Sequence, residues 1–263
     1  MAPHEGSTTG GSQASPHART RTSTGTVEMT HADWMQLASE EYRRMLEVLG
    51  DLDGEQWQAP TDCTGWDVRA MVAHLAGAAQ WSARVRELVR QQRRGRPLLP
   101  GADTVDAMNE LQVRERADHT PAQLLEELAV AVPRALRARS RMPRPLRALP
   151  VPFGPPLGTK PLGYLYDRIL TRDVWLHRID VCRAVGREPM LTAEHDGRIV
   201  ADVVAEWAAQ HGRPFELSLT GPAGGRWQHG VGGEAAELDA VELCRILSGR
   251  SAGSGLLTTR VNF

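Results

Sequence analysis

The chain has 263 residues, which is enough for one large domain or two modest ones with a core that needs no disulfide support. Its formal net charge of −1 argues against a general nucleic-acid-binding or membrane-surface role. Three scattered cysteines and the lack of an apolar run long enough to span a bilayer lead us to expect a cytoplasmic protein without disulfides.

The chain divides into three regions by composition. Residues 1–26 are rich in Gly, Ser, Thr, Pro and His, and they contain too few large apolar groups to offset the entropy of ordering, so we predict a disordered tail. Residues 27–212 carry helical patterns and are predicted to form a helical bundle. Residues 213–263 change character and are predicted to form a small α/β domain.

Apolar periodicity and capping residues predict helices over 30–49, 67–94, 104–118, 120–139, 161–184 and 192–210. Pro133 falls within the fourth of these helices, where it is expected to kink the helix or to end it early. Residues 141–161 are crowded with proline and glycine and are predicted to form a loop. Gly212 is the expected C-terminal stop of the last helix.

Beyond Gly212 the pattern alternates. Residues 215–219 read as a strand, and a glycine-rich turn leads toward residues 226–228. A helix is predicted over 236–248 and a closing strand over 256–261. The predicted fold class is therefore mainly α with a small α/β domain: a four-helix bundle followed by a C-terminal α/β domain.

Three polar residues interrupt apolar helix faces. His74 lies in a broad apolar stripe of the second predicted helix, and Asp173 and His177 stand one turn apart on the fifth. Two imidazoles and a carboxylate suit one divalent metal with an open coordination position. The alternative is a buried polar network without a metal. Asp180 would either orient His177 through its other ring nitrogen or form a surface ion pair with Arg183.

The surroundings of His74 suggest room for a ligand. Gly77 is a small neighbour on the same stripe, and Trp81, two turns beyond His74, is a candidate wall of the pocket or else part of the bundle core. We interpret Cys63 as a small packing residue, because the sequence places no histidine or basic residue beside it.

Several segments carry a resemblance to a known family. These are residues 63–69 (CTGWDVR), 72–75 (VAHL), 172–180 (RDVWLHRID), 186–187, 219–225 (LTGPAGG), 247–250 (LSGR), Trp227 and the final Phe263. Together they resemble the mycothiol-dependent maleylpyruvate isomerase family of the DinB/YfiT-like superfamily.

The resemblance implies a DinB-like bundle that binds a divalent metal, usually zinc, through His74, Asp173 and His177. Family members often carry Glu at the position of Asp173, and the shorter Asp side chain draws the carboxylate back by about one methylene. The family also implies mycothiol, the low-molecular-weight thiol of actinobacteria, as cofactor or cosubstrate, with Gly77 and Trp81 as cofactor-binding candidates.

The chemistry predicted from this site is thiol addition to a small electrophilic substrate. A metal-bound thiolate would attack an electrophilic carbon, and rotation followed by loss of the thiol gives isomerisation, whereas release of the adduct makes the enzyme an S-transferase. Arg84 and Arg226 are the candidate catalytic anchors for organic-acid groups, the alternative for Arg84 being a solvated helix surface.

Two other classes of function remain open at this stage. One is a metal hydrolase with water in the open position, and the other is a non-catalytic bundle that binds a small molecule. The arginine runs at 84–96 and 134–147 contain no interleaved aromatic residues, so nucleic acid is not an expected partner. The sequence leaves the oligomeric state open.

Overall fold

A computed structural model describes residues 28–154 and 158–263 of the protein. Four long helices form a bundle: α1 (His31–Gly50), α2 (Val68–Ala83), α5 (Pro121–Ser140) and α7 (Leu170–Ala184). Both α1 and α2 pack on α5 and α7. The predicted disordered tail at 1–26 and positions 155–157 of the predicted loop lie outside the described residues.

Side-chain caps fix the starts of the bundle helices. Thr30 and Thr120 each form a capping box with the residue three positions later, and Asp67 accepts a hydrogen bond from the backbone N–H of Ala70. Pro133 lies inside α5, which continues to Ser140, so the expectation that this proline ends the helix early is wrong. These caps place α2 and α7, the two helices that carry the candidate ligands.

The prediction of one continuous helix over 67–94 is wrong, because the helix breaks at Arg84. There the backbone is extended (φ −149°, ψ 120°), and α3 (Val85–Gly95) turns away from the axis of α2. This break lets α3 fold back so that the Gln91 side chain reaches the backbone carbonyl of Gly77, which a straight helix would leave about 21 Å away. Arg84 is not a helix-breaking residue type, so tertiary packing decides the break.

The segments between the long helices contain short elements. The connection from α3 to α5 contains α4 (Thr104–Arg114), and the predicted loop at 141–161 contains α6 (Arg144–Arg147) with the antiparallel pair β1 (Pro150–Pro152) and β2 (Thr159–Pro161). The helix predicted over 161–184 starts as a π-helix, Tyr164–Ile169, before α7. The helix predicted from residue 192 begins later, as α8 (Asp196–His211), and Gly212 ends it in the left-handed conformation, as predicted.

The C-terminal segment forms a three-stranded sheet and one helix. Strand β3 (Phe215–Thr220) lies between β4 (Gly225–His229), its antiparallel neighbour, and β5 (Glu234–Asp239), its parallel neighbour. Helix α9 (Ala240–Ser248) follows directly. The helix predicted over 236–248 is therefore wrong at its start, because its first four residues pair with β3.

The closing strand predicted over 256–261 is also wrong. Gly255–Thr258 forms a 3₁₀ turn instead. The turn is held by its backbone: the N–H of Leu256 donates to the carboxylate of Glu234, and the carbonyl of Leu256 accepts from the indole N–H of Trp207. A ladder partner for this segment would have to displace both of these bonds.

Two apolar clusters account for most of the core. One fills the bundle between α1, α2, α5 and α7, and the other joins Trp175 of α7 and Trp207 of α8 to Phe215 and Leu247 of the C-terminal segment. Packing is thus continuous across the predicted boundary at 212–213, and it seats the C-terminal segment against α7. The predicted class, mainly α with a small α/β part, is confirmed. Of the helices in the described ranges, none has the length and apolar character needed to cross a bilayer.

Candidate metal centre

The fold brings the three sequence-predicted ligands together. His74 projects from α2, and Asp173 and His177 project from α7, which packs against α2. The Nε2 atom of His74 lies 3.5 Å from Asp173 Oδ2, and the Nε2 atom of His177 lies 3.3 Å from Asp173 Oδ1. One donor atom from each residue lies within 4.8 Å of the other two. We call these three residues the central cluster.

The imidazole of His74 is buried and held from one side only. Its Nδ1 atom lies 2.8 Å from Oε1 of Gln112 on α4. Its Nε2 atom is buried and has no hydrogen-bond partner in the described part of the chain. The indole of Trp66 covers the ring, with the two ring centroids 5.1 Å apart. A buried polar atom without a hydrogen-bond partner costs free energy. A ligand bound to Nε2 would remove that cost, so this atom is a good candidate to bind a metal.

The imidazole of His177 has the corresponding arrangement. Its Nδ1 atom lies 3.2 Å from Oδ2 of Asp180, which is fully buried. Arg250 follows α9 and donates to both oxygens of Asp180, at 2.9 Å from Nε and 2.7 Å from Nη2. The alternative partner for Asp180 is wrong, since Arg183 donates to Asp62 instead. Asp180 orients His177 as the sequence suggested.

Charge is concentrated at this point. Burial opposes the ionisation of Asp173, but the positive charge of the His177 imidazolium outweighs burial and holds the pKa of Asp173 well below its usual value. Burial likewise disfavours the imidazolium of His177, yet the Asp173 carboxylate raises the pKa of His177 well above its usual value. The pKa of Asp180 is lowered because hydrogen bonds from His177 and Arg250 outweigh burial. An anionic carboxylate between two imidazoles therefore attracts a cation.

These residues fit a divalent metal. Two imidazole nitrogens and one carboxylate are the donor set of a catalytic zinc site with one open position. Each histidine has its Nδ1 held by another side chain, which leaves its Nε2 directed toward Asp173. The Nε2 atom of His74, which has no hydrogen-bond partner among the described residues, supports the same assignment, because a metal at that position would satisfy it.

The interpretation of Cys63 as an isolated packing residue needs correction. Its Sγ lies 3.3 Å from Nη2 of Arg250, 3.7 Å from Asp180 Oδ2 and 4.0 Å from His177 Nδ1. Both a basic residue and a histidine thus stand beside this thiol. The local sequence around Cys63 contains neither neighbour, because they come from α7 and from the end of α9.

Gly77 and Trp81 lie on α2 beyond His74. Gly77 is buried beneath Gln112, where a Cβ atom would come within 2.4 Å of the Gln112 side chain, so the small residue makes room for Gln112. The ring of Trp81 packs edge-on against Tyr166, with the centroids 5.8 Å apart, in a small apolar cluster that includes Leu170.

Arg84 and Arg226 do not join the central cluster. Arg84 is exposed at the end of α2 and lines a surface groove along α5 with Arg134. Arg226 is exposed on β4 and lines a different groove, together with Asp202 of α8. Within the described residues neither side chain forms an ion pair. The arginine that contacts the site is Arg250, which donates to Asp180. From the sequence alone, Arg250 stands only as the last residue of the LSGR motif.

Comparison with known proteins gives a consistent result. A crystal structure of the mycothiol-dependent maleylpyruvate isomerase matches with a TM-score of 0.57 at 18% identity, covering 86% of this chain and 92% of that one. A mutant of the mycothiol-dependent maleylpyruvate isomerase matches with a TM-score of 0.56 at 17% identity, covering 85% and 91%. At this identity the likeness establishes the fold. No match was found among curated proteins.

A match to a family profile shows, in addition to the shared fold, which family the chain belongs to. The profile described as "Mycothiol maleylpyruvate isomerase N-terminal domain" matches residues 38–182, more than half of the sequence. This span contains all three residues of the central cluster. The chain belongs to the mycothiol maleylpyruvate isomerase N-terminal domain family, as the resemblance of its motifs predicted.

Proposed function

We propose that the protein is a metal-dependent enzyme that uses mycothiol as its thiol cofactor and isomerises maleylpyruvate or a closely similar unsaturated acid. Membership of a family named for such an enzyme supports the class of activity. The two solved structures with this fold are both of the mycothiol-dependent maleylpyruvate isomerase. The metal, the site residues, the substrate and a cytoplasmic location are parts of this proposal.

One observation carries the metal dependence. The central cluster is assembled from two helices that are about 100 residues apart in sequence, and the buried Nε2 of His74 has no hydrogen-bond partner in the described chain. His74, Asp173 and His177 would hold the metal. A bound divalent metal would supply Lewis acidity, which lowers the pKa of a coordinated thiol so that it reacts as a thiolate at neutral pH.

The chain's own residues hold this site in shape. Arg250 neutralises Asp180, and Asp180 fixes the ring of His177. Gln112 fixes the ring of His74, and Trp66 shields both imidazoles, at 5.1 and 6.2 Å between ring centroids. Such fixed orientation reduces the reorganisation needed when a ligand arrives.

The reaction follows from thiol chemistry. Addition of the thiol to a cis double bond turns it into a single bond, rotation about that bond follows, and expulsion of the thiol returns the trans isomer with the thiol regenerated. Release of the adduct before expulsion would instead give an S-transferase, which differs only in its product.

The test compares wild type with His177→Ala and with His229→Ala, a control that changes an exposed histidine on β4. We expect about one zinc per chain by elemental analysis and mycothiol-dependent isomerisation of maleylpyruvate in wild type and His229→Ala. His177→Ala should keep its helical circular dichroism and lose both properties. A stable thioether adduct by mass spectrometry would identify the S-transferase outcome, and formation of cleavage products that have gained water, without any need for thiol, would identify a hydrolase. Full activity of His177→Ala would refute the proposed site.

A further inference from the structure

Two buried glutamines connect His74 to the backbone of its own helix. Oε1 of Gln112 lies 2.8 Å from His74 Nδ1, and Nε2 of Gln112 donates to Oε1 of Gln91 at 2.8 Å. Nε2 of Gln91 in turn donates to the backbone carbonyl of Gly77 at 3.1 Å and to Oε1 of Glu87 at 3.0 Å. We call Gln112 and Gln91 the amide relay.

The fixed end of the relay sets the direction of every bond in it. A backbone carbonyl only accepts hydrogen bonds, so Gln91 must turn its NH₂ group toward Gly77. Its oxygen then faces Gln112, which must present its own NH₂ group there and its oxygen to His74. An amide oxygen only accepts, so the Nδ1 atom of His74 carries the proton.

The protein is built to accommodate this relay. Gln91 and Gln112 are both fully buried, and the break between α2 and α3 brings Gln91 back beside Gly77. Gly77 admits the Gln112 side chain, since any Cβ at that position would come within 2.4 Å of Gln112 Cγ. Burying two amide side chains is costly unless both are hydrogen-bonded, and here both are.

We infer that Gln91 and Gln112 are positioning residues that hold His74 as the Nδ1–H tautomer and thereby direct its Nε2 lone pair at the metal position. The inference rests on the proposed function for the metal, but the tautomer is a property of the metal-free protein. The Nε2 atom lies 3.5 Å from Oδ2 of Asp173 and forms no hydrogen bond with it. Two acceptor atoms at this distance can both bind one cation.

Gln91→Met provides the sharpest test because Gln91 does not touch His74. The variant removes the fixed end of the relay, so the amide of Gln112 can rotate and offer its NH₂ group to His74 Nδ1. His74 can then carry its proton on Nε2 and donate it to Asp173. We expect the tautomer to change, and we expect zinc affinity to fall about tenfold, the usual scale for a lost partner of a metal-ligating histidine.

The experiment uses the full chain labelled with ¹⁵N in its histidines. Imidazole nitrogen and ring-proton correlations report the tautomer in the metal-free protein, with the His74 signals identified by their loss in His74→Asn. A chelator competition then measures zinc affinity. Gln91→Met and Gln112→Met are compared with Gln210→Met, a control on α8 whose amide bonds Glu206. Thermal melting checks that each variant is folded.

The outcomes separate this inference from the proposed function. The relay is supported if wild type carries the His74 proton on Nδ1, and if both relay variants, but not the Gln210→Met control, change the tautomer and bind zinc more weakly. The same tautomer result without zinc binding by wild type supports the relay and refutes the metal. Zinc binding by wild type with an unchanged tautomer and affinity in a folded Gln91→Met refutes the relay and leaves the proposed function standing. An Nε2–H tautomer in wild type also overturns the inference.

Discussion

Removing one partner of the ion pair between Arg250 and Asp180 should cost a large part of the stability of the fold. Asp180 is fully buried and accepts charge-assisted hydrogen bonds from two nitrogens of Arg250, whose side chain is 13% exposed. Arg250→Met removes both donors and leaves a buried carboxylate whose remaining charged partner is His177. Breaking a buried pair on one side costs about 3–5 kcal/mol, and we expect about 3 kcal/mol because His177 remains.

Urea denaturation of the metal-free protein at pH 7 measures this loss. Arg183→Met is the matched control, because it breaks a pair with Asp62 in which the Arg183 side chain is 47% exposed, and we expect it to cost less than about 1 kcal/mol. A double variant with Asp180→Asn should recover part of the loss, since it removes the uncompensated charge.

The pH dependence of this loss has a definite sign. The pKa of Asp180 is lowered in the folded state, so its contribution is present above the unfolded value of about 3.9 and is lost as pH falls below it. The difference between wild type and Arg250→Met should therefore narrow below about pH 4. Equal stability of Arg250→Met and Arg183→Met at pH 7, or a difference that widens in acid, would refute this reasoning.

Three further predictions concern the bundle interior. Arg139 is 1% exposed, and its guanidinium donates to Thr171, whereas its Nε and Nη1 have no partner among the described residues. Because a buried charge without full hydrogen bonding is costly, Arg139→Met should raise the free energy of unfolding by about 1–3 kcal/mol. A loss of stability in urea denaturation would contradict this. Zinc at 100 times its Kd should stabilise wild type by about 2.7 kcal/mol in thermal melts and should leave His74→Ala unchanged; equal shifts in both would count against the central cluster. Gly77→Ala should cost about 1–3 kcal/mol and should weaken zinc binding by displacing Gln112, and a neutral effect in both assays would show that Gln112 can yield.

Local periodicity was sufficient to place the three candidate ligands. Asp173 and His177 are one turn apart, so any helix in that region puts them on one side, and the apolar stripe around His74 turns it inward. Their convergence depends only on α2 and α7 being neighbours. That is a coarse property of a four-helix bundle, and the apolar faces already encode it.

The supporting residues could not be predicted in the same way. Gln112 meets His74 across 38 positions of sequence, and Gln91 reaches Gly77 only because the chain breaks at Arg84, where no proline or glycine marks a helix end. The charge of Arg84 and Arg226, and their positions beside the site helix and the glycine-rich turn, indicate a role in the site. A charge pattern does not specify which way a side chain faces, and both side chains lie on the surface.

The C-terminal segment contributes to the site through Arg250, and its packing places this residue. The apolar cluster shared by α7, α8 and β3 fixes where α9 lies. Gly249 then ends α9 with a positive φ of 94°, a conformation that a side chain would strain, and this turn directs the chain back so that Arg250 meets Asp180. Since Asp180 in turn holds His177, the orientation of one candidate ligand depends on the packing of a segment more than 60 residues later. A bundle that lacked this segment would keep the three ligands, but it would lose the arginine that holds Asp180.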